Sequence, residues 1–272
     1  MNQVVLEIYG LVTADIATPI SALNWSTPTI LREYNEEDFP HGFKKAFRWP
    51  DGQVGDALMT PVPIWFIKGA KEKILVDTSI ESAEKTIALE NQYALVKPEW
   101  EIKNALANIG VKPEDIDIVI NTHLHDDHFA NNELFTKAKF IIQKEEIPLA
   151  LAPPPWAVWY FKELSRHLLQ VLDRVEVVDG DKKVTDGVEV WKLGGHTPGS
   201  QAVVVETNMG KVALAGDVMY TYYNLEKHWP IGHFWDLPQL MKAYDRLKKD
   251  ADVIIPNHDW TFWHRYPGGK VP

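Results

Sequence analysis

The chain has 272 residues, 38 acidic against 28 basic side chains, a formal net charge of −10, and a composition 45% hydrophobic and 24% charged. This length can bury a substantial core and fits one domain, residues 1–272, while the composition excludes a disordered or fibrous chain. The acidic balance works against a broad phosphate-binding face, so small molecules are expected as partners rather than nucleic acid, and with no cysteine any metal must be held by imidazole and carboxylate.

Met1 to Leu11 lacks the basic segment, apolar core and small-residue cleavage site of a secretory leader, and no later apolar run is long enough to cross a bilayer. A cytoplasmic location with no membrane partner is therefore expected. Tyr34 to Ala57 carries no clear period and contains Pro40 and Pro50; it reads either as a functional loop or as a surface excursion packed by Phe39, Phe43, Phe47 and Trp49. Ile64–Ile67, Ile74–Asp77, Ile116–Asn121 and Phe140–Gln143 are short, rich in branched residues and bounded by turns, as buried strands are, and Ser82–Glu90 and Glu99–Ile109 read as helices. After the break Ala152-Pro153-Pro154-Pro155, Trp156 to Leu169 has helical spacing suited to packing or to covering a pocket. A second series follows, with strands at Val175–Val178, Val188–Leu193, Ala202–Glu206, Val212–Ala215 and Val253–Ile255 and a helix at about Pro238–Lys249. Two sets of strands, each with its own helices, point to an α/β four-layer sandwich rather than one doubly wound sheet.

The chemistry is concentrated in Asn121-Thr122-His123-Leu124-His125-Asp126-Asp127-His128, where a strand opens into a loop. In extended backbone, residues two apart face the same side, so His123 and His125 can converge on one ion, while Asp127 and His128 beyond the bend can address a second. At this chain's own residue frequencies a chance His-x-His-x-Asp-His arises on the order of once in a thousand such sequences, and four unpaired polar side chains in a buried turn would be costly. Three further turns each place a metal-binding residue type after a strand: Gly194-Gly195-His196-Thr197-Pro198-Gly199, Gly216-Asp217 and Asn257-His258-Asp259. Each is weak alone, since His and Asp in turns are commonly solvated or turn-forming.

Taken together, these motifs resemble the metallo-β-lactamase superfamily from about Ile64 to His264. The resemblance implies an αβ/βα sandwich with metals at one edge between the sheets. It implies His123, His125 and His196 on one metal, Asp127, His128 and His258 on the other, and Asp217 bridging them. Val76-Asp77-Thr78 is similar to the strand-end Asp that supports such a site from behind. The sequence departs in having Ser79 where glycine is common and Phe129-Ala130-Asn131-Asn132 in place of a small, Gly-rich run.

Asp217-Val218-Met219-Tyr220 resembles the N-acyl homoserine lactonases, in which the matching tyrosine hydrogen-bonds to the substrate. A glyoxalase II-like thioesterase would carry a helical domain after its last ligand, and fourteen residues follow His258. The expected cofactors are two divalent ions, zinc first, with manganese or iron as alternatives. The expected reaction is opening of a lactone ring, in an N-acyl homoserine lactone or an aromatic lactone such as 4-pyridoxolactone, by a metal-bridging hydroxide. Tyr220 would assist at the carbonyl and Asp127 would pass a proton to the leaving group. Hydrolysis of another ester, amide or phosphoester, or iron redox chemistry on the same fold, are the alternatives. Trp156, Trp159, Trp229, Trp235, Trp260 and Trp263 could line an apolar cleft, although packing is the commoner use of the residue. His41, His167, His228, His233 and His264 lack ligand spacing and read as surface or supporting residues, with a substrate contact open to His228 and His233. A homodimer is compatible with the sequence but not specified by it.

Overall fold

A computed structural model describes residues 5–25, 45–48, 54–90, 92–157, 159–160 and 163–272. The strands are β1 (Glu7–Pro19), β2 (Lys45–Arg48), β3 (Val54–Lys68), β4 (Ile74–Val76), β5 (Ala94–Leu95), β6 (Ile118–Ile120), β7 (Lys139–Gln143), β8 (Val175–Val178), β9 (Lys182–Thr185), β10 (Val188–Lys192), β11 (Gln201–Thr207), β12 (Gly210–Leu214), β13 (Val253–Ile255) and β14 (Lys270–Val271). One sheet runs β14-β1-β3-β4-β6-β7-β8, with β2 added on β3 and β5 on β1; the other runs β13-β12-β11-β10-β9.

The period of two along the strands decides how the sheets stack. In β11, Val203 and Val205 face Ile67, Val76, Ile120 and Ile141 of the first sheet, and this shared layer is the central core. The intervening Ala202 and Val204 face outward onto Leu240, Ala243, Tyr244 and Leu247 of the helix Leu237–Asp250. On the far side Val119, Phe140 and Ile142 cover Ile102 and Leu106 of the helix Ile102–Ala107 and Leu164, Leu168 and Val171 of the helix Leu164–Val171. The layers are helix, sheet, sheet, helix, the sandwich that the two strand series implied.

Strand direction places the site. β4, β6 and β7 are parallel, and β12 is parallel to β13, while β10 reaches β12 through two antiparallel steps and so shares its direction. The C-terminal ends of β6, β10, β12 and β13 therefore open on one edge of the sandwich, and each carries a ligand candidate. A hydrogen bond from Gln201 N–H to the Thr122 carbonyl, 2.9 Å, ties the two sheets together there.

Some elements differ from expectation. β1 and most of β3 form a long antiparallel pair that the sequence pattern does not reveal. The expected helix Glu99–Ile109 is broken at Glu101, whose extended ψ of 131° separates a 3₁₀ turn, Pro98–Trp100, from the helix Ile102–Ala107. Among the described residues of Trp156 to Leu169 the helix begins at Leu164, and Tyr160 sits in a tight turn with its hydroxyl committed to Glu146. The segment Tyr34 to Ala57 contains β2 and the start of β3, and the rest of it, with Phe39, His41, Phe43 and Trp49, lies outside the described residues.

Ser79, at the position where glycine was expected, has φ +65°. A left-handed backbone costs an L-residue about 1–2 kcal/mol, partly offset by the entropy a glycine loses on folding. Ser79→Gly is expected to stabilise the protein by about 0.5–1 kcal/mol and raise the melting temperature by about 1–4 °C; a lowered midpoint in thermal unfolding would show that the Ser79 side chain contributes more than its backbone strain costs.

Candidate metal centre

The loop after β6 is built to hold its histidines. The backbone N–H and hydroxyl of Thr122 donate to Asp77 at 2.7 and 2.8 Å, and Asn121 Nδ2 donates to the His128 carbonyl at 2.9 Å, closing the loop on itself. His125 is extended and precedes a single helical turn, Asp126–Phe129, so Asp127 and His128 leave the strand direction as the spacing predicted. In the turn after β10, Gly194 and Gly195 have φ of +68° and +89°, and a Cβ at Gly195 would lie 2.5 Å from the Leu240 backbone, so the approach of His196 to the edge requires glycine.

Two groups of side chains result. His123 Nε2, His125 Nδ1 and His196 Nε2 lie 2.9 to 3.2 Å from one another, and Asp217 Oδ2 is 3.9 Å from His123 Nε2 and 3.6 Å from His196 Nε2. In the second group His128 Nε2 is 3.3 Å from Asp127 and 3.2 Å from Asp217 Oδ1, and His258 Nε2 is 3.0 Å from Asp217 Oδ1 and 3.5 Å from Asp127. Asp217 thus turns one oxygen to each group, and all seven sequence candidates come together in sets able to hold a metal ion.

Groups behind the candidate ligands orient the rings. His196 Nδ1 is 2.8 Å from the His233 carbonyl, His258 Nδ1 is 2.8 Å from the Pro61 carbonyl, and His128 Nδ1 is 2.8 Å from Asp77. Each contact leaves Nε2 facing the cluster. His128 Nε2 is buried and makes no directed hydrogen bond among the described residues, although two carboxylates are close. Three imidazole nitrogens aimed at one point carry lone pairs that a cation reconciles, so the donor set fits divalent ions with nitrogen and oxygen preference.

The electrostatics divide the histidines. Burial, then neighbouring imidazoles, pushes His123 and His125 well below the ordinary histidine range, and burial lowers His196. Against burial, Asp127, Asp217 and Asp77 raise His128, and Asp217 and Asp127 raise His258. Against burial, His128 and His258 hold Asp217 well below the usual carboxylate range.

The centre opens on a cleft that Trp159, Ile16, Glu90, Gln92 and Asp126 help to line. Tyr220 stands beside both groups, its ring 5.8 Å from His196 and 5.2 Å from His258, and burial followed by Asp217 and Asp127 keeps its phenol protonated far above neutrality. His233, which spacing gave no ligand role, stacks on His125 at 5.5 Å and places Nδ1 3.4 Å from the Tyr220 hydroxyl. Two other histidines go elsewhere: His228 pairs with Asp245, and His167, on the helix Leu164–Val171, is buried between Glu81 and Glu133. Of the six tryptophans singled out, Trp159 lines the cleft, while Trp156 and Trp235 pack on each other at 4.5 Å. Among the described residues no helix is long and apolar enough to cross a membrane.

A family model described as the metallo-beta-lactamase superfamily matches residues 59–258. The chain belongs to the metallo-β-lactamase superfamily, and with this centre it is a metal-dependent hydrolase of that fold. Within the superfamily it is similar to the N-acyl homoserine lactonases: one from Bacillus thuringiensis is 31% identical over 218 residues, covering 75% of this chain and 84% of the relative. A solved N-acyl homoserine lactone hydrolase with the product N-hexanoyl-L-homoserine at its catalytic metal centre superposes with a TM-score of 0.73 at 26% identity, over 94% of each chain. AidC, a dizinc quorum-quenching lactonase, shares the fold at 17% identity with a TM-score of 0.65, over 95% of this chain and 89% of AidC.

Proposed function

We propose that this chain is one hydrolase domain that opens the ring of a lactone, an N-acyl homoserine lactone or a related compound, aromatic lactones included. The observation that carries this reading is the sharing of Asp217 between two ligand groups that face one cleft beside a protonated tyrosine. His123, His125 and His196 would hold one divalent ion, Asp127, His128 and His258 the other, with Asp217 common to both; zinc suits this nitrogen and oxygen set, and manganese and iron also fit. Two such ions supply Lewis acidity at the carbonyl and an acidified water near neutral pH.

The chain's own residues do the rest. Tyr220, kept protonated, donates to the carbonyl oxygen as negative charge develops there. His233 Nδ1 holds the phenol hydroxyl at the cleft until substrate takes its place. Asp127, at the cleft and 3.5 Å from His258, takes the proton of the attacking water and returns it to the ring oxygen as the C–O bond breaks, leaving a hydroxy acid. Glu90, Asp126 and Gln92 also line the cleft, and no lysine or arginine does so among the described residues. Such a lining favours a neutral lactone over an anionic phosphoester, because it brings no cationic side chain to the phosphate.

Tyr220→Phe tests the reading. It is expected to lower kcat on a homoserine lactone on the order of 100-fold, with metal content unchanged, as loss of one oxyanion donor does. Full activity would reduce Tyr220 to a wall residue, and inactivity of the unaltered, metal-loaded protein toward every lactone would reject the substrate class.

A further inference from the structure

Glu146 lies at the start of the helix Glu146–Leu151, just after β7, and is 1% exposed. It belongs to neither ligand group, yet its carboxylate joins the two loops of the first. One oxygen accepts from the backbone N–H of Leu124, between His123 and His125, at 2.9 Å and from the Tyr160 hydroxyl at 2.6 Å. The other accepts from the Thr197 hydroxyl at 2.7 Å and the Gly199 N–H at 2.9 Å, in the turn that follows His196. Tyr160 in turn lays its ring against His125, with centroids 4.6 Å apart.

Four donors fill the acceptor capacity of a carboxylate, which is what makes an ionised group tolerable at such depth. The approach depends on Gly199, where a Cβ would lie 2.7 Å from Glu146 Cγ. The two loops come from different sheets, one after β6 and the other between β10 and β11, so this single side chain spans the sandwich edge under the first group. The second group has other supports, Asp77 behind His128 and the Pro61 carbonyl behind His258.

We propose that Glu146 is the positioning residue of the first ion group, holding His125 and His196 at the separation where their ring nitrogens converge. This rests on the metal assignment above. It predicts an asymmetric defect, because His128 and His258 take no support from Glu146.

Glu146→Gln keeps the size of the side chain but turns an amide N–H₂ toward donors. The measurement is titration of the metal-free protein with cobalt(II), followed by visible absorption and by competition with a chelator. The unaltered protein is expected to take two equivalents. In Glu146→Gln one equivalent binds about 10–100-fold more weakly with an altered absorption band, the loss typical of removing a group behind a metal ligand, and the other is unchanged. Unchanged affinity and spectrum for both overturn the proposal, as does equal weakening of both with a lowered melting temperature, the mark of a general loosening. Tyr160→Phe, which retains the carboxylate and the ring, carries the test where the first variant does not fold: several-fold weakening of one equivalent supports the proposal, and none overturns it. Fewer than two equivalents on the unaltered protein would reject the metal assignment itself, and is read without any variant.

Discussion

Asp217→Asn is expected to disable both ligand groups at once. The carboxylate places one oxygen within 3.6 Å of His196 Nε2 and the other 3.0 Å from His258 Nε2, and an amide has one acceptor oxygen and directs an N–H₂ at the remaining group. Residues that only support a metal ligand commonly contribute 10–100-fold to affinity or activity, so a ligand shared by two ions is expected to cost on the order of 1000-fold or more in kcat/KM. Elemental analysis should show metal content falling from two equivalents to one or fewer. An Asp217→Asn protein with full metal content and full rate would contradict a shared ligand.

The second large effect is on the stability of the metal-free protein as pH changes. His123, His125 and His196 have folded pKa values below the ordinary 6.5, so the unfolded chain takes up their protons first and stability is lost as pH falls from about 6.5. His128 and His258 have folded values above it, so their contribution is complete below about 6.5 and is lost as pH rises through the raised values. Each of these histidines adds about 1.4 kcal/mol per pH unit to the slope within its own window; on the acid side the buried carboxyls of Glu90 and Asp126, both raised by burial and by acidic neighbours, oppose the loss, so the net decline falls on the alkaline side. Thermal melts of the chelated protein are expected to drop by several degrees as pH rises above about 6.5, where His128 and His258 lose their protons. Metal ions replace the protons of His128 and His258, so loading should raise the midpoint and remove the alkaline decline. Parallel pH profiles with and without metal would contradict the assignment of these histidines.

What the sequence disclosed follows from which contacts are local. Strands such as Phe140–Gln143 and Val253–Ile255 are short apolar runs between turns, and the ligand candidates sit directly after strands, so one motif of eight residues and three turns named the side chains that the fold brings together in two groups. β1 escaped because Glu7–Pro19 has no clean alternation: it is buried continuously from Thr13 to Pro19 and includes Gly10 and Asp15. Of the helix expected over Trp156 to Leu169, the part from Leu164 on is present, while the place of Tyr160 is set by Glu146 and His125, not by its neighbours in the chain. Glu146 itself has no signature, because its partners lie 22, 14, 51 and 53 residues away. His233 reached the site through a loop whose path only the packed fold defines. Its one sequence signal was its place among the aromatics after Tyr220.

The most direct test of the central claim is proton release by the metal-loaded protein with short- and long-chain N-acyl homoserine lactones, aromatic lactones, simple esters and a phosphoester, with Asp217→Asn as the control. The expected result is rapid acid release from neutral lactones, absent from the control and much slower with the phosphoester. Turnover of an ester or phosphoester while every lactone stays inert would contradict lactone hydrolysis, and release equal to that of the control would contradict the metal centre.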